Sequence, residues 1–238
     1  MGLFDRPREE IEAFISEKLN RGRARLLPVR ESISLAPRTQ VIFSEDTGLE
    51  LGNPGVASRS LLLWDEPEKV RDGRIVLVGP DLPEARSKSL PYAQVLVAGG
   101  RFEDHYDSYR DLRDAVYGLR LEGFMTRVFP GRQSVWCRVS KKALAAGFDA
   151  SLLGSGLIRA AKSVPSVEKA EVLLVTSSKE EVEELAEAAS GVMEIVEALI
   201  KMYEEMNFDC DTCEYVEVCD TVVELRKIRD KLRRETER

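Results

Sequence analysis

The sequence predicts an α+β fold: a mixed β-sheet covered by helices and followed by a long C-terminal helical hairpin. Three observations carry this. Short apolar runs closed by Gly and Pro, Ser60 to Trp64, Arg74 to Val78 and Gln94 to Ala98, read as strands. Residues 5–20 and 106–121 read as helices that cover them. From Lys179 to Met206 there is no Pro and only Gly191, and apolar or small residues recur with a seven-residue period. The boundaries follow: residues 1–177 form the α+β part, and residues 178–238 the hairpin with a cysteine-rich turn.

Taken in order, residues 5–20 form a helix, with Asp5 as cap, Pro7 in the first turn and a stripe of Ile11, Phe14, Ile15 and Leu19. Residues 21–60 read as short strands and loops. Residues 106–121 read as a helix. Val135 to Val139 alternates like a half-buried strand, helices follow near 140–146 and 151–163, and Glu171 to Thr176 is a further strand. The spacing at Val182, Leu185, Ala189, Val192, Val196, Leu199 and Tyr203 predicts one helix of about 40 Å at 1.5 Å per residue. It packs either on the sheet or as a dimerising coiled coil, and a second stripe begins at Leu225, Ile228 and Leu232.

Composition excludes several classes. In 238 residues there are 35 Lys and Arg against 42 Asp and Glu, a net charge of −7, so the chain has no general polyanion-binding character and no nucleic-acid partner is expected. No apolar run reaches the 18 to 20 residues of a membrane span, and the first residues lack the pattern of a signal peptide. Four cysteines are too few for a secreted disulfide framework, so a cytoplasmic, reducing compartment is expected. The single histidine, His105, reads as a loop or helix-start residue rather than a catalytic base.

Two stretches carry chemistry. Cys210, Cys213 and Cys219 lie within ten residues, and C-x2-C sets two thiols on one turn. Thiolates are soft ligands suited to iron–sulfur clusters, zinc or copper(I). Seven acids against Lys201 in residues 201–220 raise thiol pKa and favour a cation over a reactive nucleophile. Structural thiols and a disulfide are the competing readings. A fourth ligand would come from Cys137, an acid, solvent or a second subunit. The other stretch is Arg120 to Lys142, with six cations against Glu122. Arginines around Trp136 can hold phosphates and stack on an adenine; a solvated positive surface is the alternative. Gly118, Gly123 and Gly131 form neither a P-loop nor a G-x-G-x-x-G motif.

Three segments carry a family resemblance: Asp72-Gly-Arg-Ile-Val-Leu-Val-Gly-Pro-Asp81, Gly131-Arg-Gln-Ser-Val-Trp-Cys-Arg-Val-Ser-Lys141 and Ala146-Gly-Phe148. Over roughly residues 40–220 the chain resembles the middle domain of the acetyl-CoA synthase (beta) subunit of the carbon monoxide dehydrogenase/acetyl-CoA synthase complex, called acetyl-CoA decarbonylase/synthase in archaea. The resemblance implies that Arg132, Trp136 and Arg138 lie at a coenzyme A site. It also implies that Cys210, Cys213 and Cys219 hold an iron–sulfur cluster or other metal. The family's third cysteine is more distant, and the Cys-Gly-Cys that holds its second nickel is missing from these 238 residues. The expected role is thus an accessory or metal-binding protein of C1 and acetyl-CoA metabolism without a complete A-cluster. The alternatives are a non-redox coenzyme A or nucleotide-binding module, or a dimeric scaffold. Expected partners are a second copy through the C-terminal helices and subunits of a complex of this type.

Overall fold

The computed structural model describes residues 2–52, 56–128, 135–205 and 208–236. It is α+β, as the sequence predicts. Helix α1 (Asp5–Asn20) opens the chain, followed by strands β1 (Ala24–Leu27), β2 (Thr47–Leu51), β3 (Ala57–Trp64), β4 (Ile75–Val78), β5 (Ser89–Leu90) and β6 (Tyr92–Gly100). Next come α2 (His105–Tyr117), β7 (Phe124–Val128), β8 (Val135–Ser140), α3 (Lys141–Ala145), α4 (Ala150–Ala161) and β9 (Val167–Val175). Four helices complete the chain: α5 (Lys179–Ala188), α6 (Ser190–Tyr203), α7 (Val216–Thr221) and α8 (Val223–Thr236).

Two sheets organise these elements. The larger has the order β1-β4-β9-β6-β3 and is mixed: β4 with β9 and β3 with β6 are parallel, and β1 with β4 and β6 with β9 are antiparallel. Strands β4 and β6 are buried along their whole length, which is why they read as continuous runs of Val, Ile, Leu and Ala rather than alternating. The smaller sheet has the order β5-β2-β8-β7. There β8 does alternate, with Val135, Cys137 and Val139 inward and Trp136, Arg138 and Ser140 outward.

Helix α4 packs on β9 and β4; α1 and α5 pack together, with α5 also on β3 and β6. Asp149 caps α4, accepting from the Leu152 amide at 2.8 Å. Gly154 in α4 permits a close approach to the sheet, because a Cβ there would stand 2.7 Å from the Ile75 side chain. Helix α1 is locked onto the sheet by charge: Arg8 lies 2.5 Å from Glu171, and Arg74 binds both Glu171, at 3.2 Å, and Glu12, at 2.8 Å.

The C-terminal region is helical, but the single long helix expected from Lys179 to Met206 is two helices. The chain turns at Ala189, whose ψ of 3° leaves the helical range, and α6 restarts at Ser190. The heptad positions Val182, Leu185, Ala189, Val192, Val196 and Leu199 are all buried, in the chain's own core. The period reported one buried face; the break lets both helices keep that face on α1, α2 and β3. Among the described residues no helix is long and apolar enough to cross a membrane.

Candidate functional site

The segment after α6 brings three thiols to one place. Cys210 and Cys213 are half-buried in the turn, and Cys219 is buried in α7. All three line one small cavity of about 20 Å³, the size of a single water or ion. Its walls come from α6, through Lys201 and Met202, and from α8, through Arg229. Asp209 also borders it, and accepts from the Thr212 hydroxyl at 2.8 Å. Among the described residues no three His, Cys, Asp or Glu side chains are set as they would be to hold a metal ion. The donor set is soft and the cavity has the volume of a single ion, so the residues suit one thiolate-bound ion in kind, though their side chains are not set around one. A volume of about 20 Å³ does not hold a multinuclear cluster.

The electrostatics differ from the acidic field expected. Arg229 reaches the cavity from α8 while holding Asp220 at 3.2 Å and Asp230 at 3.3 Å. Burial pushes the Cys219 thiol up to about 11; the charge of Arg229 opposes this, and the neighbouring Cys213, Cys210 and Asp220 add to it. Tyr215 donates to Glu197 at 3.1 Å, and burial followed by that carboxylate pushes its phenol up to about 12.

Cys137 takes no part in this cavity. It is 1% exposed inside the smaller sheet, 3.7 Å from the Thr126 hydroxyl, and burial pushes its thiol up to about 12. It is therefore excluded as the fourth ligand in this arrangement. Its reactive thiolate form is therefore scarce at neutral pH, because the nucleophilic form appears only as pH nears the pKa. In metal-free native protein an aromatic disulfide reagent is expected to modify Cys210 and Cys213 within minutes and to leave Cys137 intact until denaturant is added. Mass mapping checks this, and native labelling of Cys137 at a comparable rate would contradict its placement.

On β8, Arg138 stacks 4.8 Å over the Trp136 ring. It also pairs with Glu50 on β2 at 3.2 Å and donates to the Ile42 carbonyl at 3.3 Å. The two residues therefore form one outward-facing unit, braced by β2. Arg132 lies outside the described residues. His105 is the first residue of α2, with Nε2 3.0 Å from Asp65, in keeping with a helix-start histidine.

One feature was not visible in the sequence. A cleft of about 690 Å³ opens where the 30–46 segment crosses the ends of β8 and α3. Arg30, Lys141 and Lys142 line it together with Asp46 and Glu122. Gly123 shapes its wall: φ is +72°, and a Cβ there would fall 2.3 Å from that of Ala143. The cleft is assembled from segments over 100 residues apart, so no local motif announced it.

Fold and sites together define an α+β protein with a three-thiol pocket and a separate ligand-sized cleft of mixed charge. The sequence profile of the CO dehydrogenase/acetyl-CoA synthase complex beta subunit matches residues 29–182. The chain belongs to that family. It is 26% identical over 227 residues to the acetyl-CoA decarbonylase/synthase complex subunit beta of Archaeoglobus fulgidus, covering 89% of this chain and 41% of the relative. Against the subunit beta of Methanopyrus kandleri it is 29% identical over 166 residues, covering 67% and 35%. Against subunit beta 2 of Methanosarcina thermophila it is 29% identical over 160 residues, covering 66% and 33%. The chain thus spans about a third to two fifths of the length of these relatives. The matched region contains the cleft and β8, and the profile ends before Cys210, Cys213 and Cys219.

Proposed function

We propose that this chain is an accessory, metal-binding member of a carbon monoxide dehydrogenase/acetyl-CoA synthase-type complex in the cytoplasm. Cys210, Cys213 and Cys219 would hold the metal. The observation that carries the reading is the meeting of all three thiols at one ion-sized cavity. A thiolate-bound iron or zinc centre there would supply electron transfer or a cross-link between α6, α7 and α8. Its fourth ligand would be Asp209, solvent or a companion subunit. The chain's own part is to present three sulfurs, to shield Cys219 from solvent and to offset their negative charge with Arg229 and Lys201. The test is purification without oxygen, with iron, nickel, zinc and sulfide measured per chain. About one metal ion per chain is expected, falling at least tenfold in Cys210→Ser and Cys213→Ser. Protein that stays metal-free after reconstitution would remove the reading.

A second reading is supported by the Trp136–Arg138 unit: binding of coenzyme A or a nucleotide without redox chemistry, with Arg132, Trp136 and Arg138 as its residues. A half-buried indole beside a braced guanidinium offers a stacking surface for a base. Homodimerisation belongs to the same proposal in a narrowed form. Because the α6 stripe is buried in the chain's own core, two copies would pair through α8, where Ile228 and Leu232 are half-buried.

A further inference from the structure

Helix α8 carries six cations against three acids in a chain of net charge −7. It packs on α6 and α7, with Leu225 buried and Ile228 and Leu232 half-buried. Lys227, Lys231 and Arg234 fall at i, i+4 and i+7 on its exposed side. Among the described residues Lys231 has no ion-pair partner, and Lys227 holds only Glu224 of its own helix, at 2.9 Å. Helix α5 carries the complement. Glu180, Glu183, Glu184 and Glu187 occupy i, i+3, i+4 and i+7 and are all exposed, while Val182 and Leu185 are buried. Glu184 is taken up by Lys18, and Glu183 by Lys179 of its own helix. Glu180 and Glu187 have no ion-pair partner among the described residues. Each stripe runs seven residues, about 10 Å at 1.5 Å per residue. Both helices border α6, yet among the described residues no ion pair joins them. Two stripes of opposite charge and equal length are thus held apart within one chain.

We infer that a second copy of the chain covers the basic face of α8 with the acidic face of its α5. A two-fold relation uses both pairs of stripes: α8 of one protomer lies on α5 of its partner, and the reverse, which closes the assembly at two copies. Pairing α8 with α8 would bring two basic faces together and is opposed by charge. The contacts are exposed ion pairs, each weak alone and screened by salt, so the association is modest and depends steeply on ionic strength. The inference deepens the homodimer reading and rests on it, adding the surface that α8 meets.

The experiment is sedimentation velocity of the full chain over a concentration series at about 50 mM and about 500 mM salt, with two charge-reversed variants. The unaltered chain is expected to dimerise at low salt, with Kd at least tenfold higher at high salt. Lys227→Glu/Lys231→Glu and Glu183→Lys/Glu187→Lys, each alone, are expected to raise the low-salt Kd at least tenfold. All four positions are exposed, so the fold is kept. Mixed one to one, the two variants are expected to dimerise again, because each reversed stripe then meets its opposite. Misfolding cannot produce that gain. If the α5 variant alone dimerises like the unaltered chain while the α8 variant does not, this inference is overturned and the homodimer reading stands on another surface. Association that ignores salt would overturn it in the same way. An unaltered chain that stays monomeric at low salt and high concentration would remove both.

Discussion

Glu171→Ala is expected to lower the stability of the chain by about 3–5 kcal/mol, the cost of leaving buried charges without their partner. The Glu171 side chain is 4% exposed and stands between two guanidinium groups, those of Arg8 and Arg74, which are 10% and 7% exposed. Removing it leaves both cations under α1, against the middle of the sheet. Arg74 retains Glu12, which it binds through two hydrogen bonds of 3.0 and 2.8 Å. Among the described residues Arg8 retains only a 3.9 Å contact with Glu12 and the face of Trp64. Denaturant titration gives the change directly, and a loss below 1 kcal/mol would show that the network carries no such strain.

The same network sets an acid limit. Partial burial pushes the Glu12 carboxyl up, but the hydrogen bond from Arg74 and the charges of Arg74, Arg8 and Arg71 outweigh it, so its pKa lies below the ordinary value. A carboxylate depressed in the folded state stabilises fully above its unfolded pKa and loses that contribution as pH falls through the folded one. Stability is thus expected to decline below about pH 4.5, and Glu12→Gln to flatten that decline.

A chain ending at Ser177 is expected not to hold the native fold. Helices α5 and α6 bury Val182, Leu185, Val192, Ile195, Val196, Leu199 and Met202. At about 1.5–3 kcal/mol for each such side chain, their loss rivals the 5–15 kcal/mol that holds a domain folded. The truncation also strands a charge. Lys18 on α1 is 2% exposed and reaches Glu184 at 2.7 Å and Glu181 at 3.6 Å, both on α5. Ser177, the last residue kept, would lose the Glu181 carboxylate that its hydroxyl serves. Circular dichroism and limited proteolysis check the outcome. A cooperative melt of residues 1–177 would instead make the helices a separable unit, with the boundary at 178 marking a true domain edge.

What could be read from the sequence follows from how local each signal is. Helix α1 spans the expected residues because its stripe and its early Pro7 lie within one stretch, but Asp5, expected as its cap, is its first helical residue and no side chain caps it. The buried strands β4 and β6 announced themselves as apolar runs, and β8 by its alternation. The break at Ala189 has no Pro to mark it, and a seven-residue period cannot tell a partner helix from the chain's own core. The cysteine trio was legible by spacing. Arg229, which tempers its charge, arrives from α8 and could be found only in three dimensions. The cleft shares that property: Arg30 and Lys141 line it together only because the 30–46 segment crosses the ends of β8 and α3.

The most direct test of the metal assignment is X-ray absorption at the edge of whichever metal co-purifies without oxygen. Three sulfur scatterers at about 2.3 Å, reduced to two in Cys219→Ser, are the expected result. A shell of nitrogen and oxygen alone, unchanged by that substitution, would place the metal elsewhere and leave the three thiols with no role in holding it.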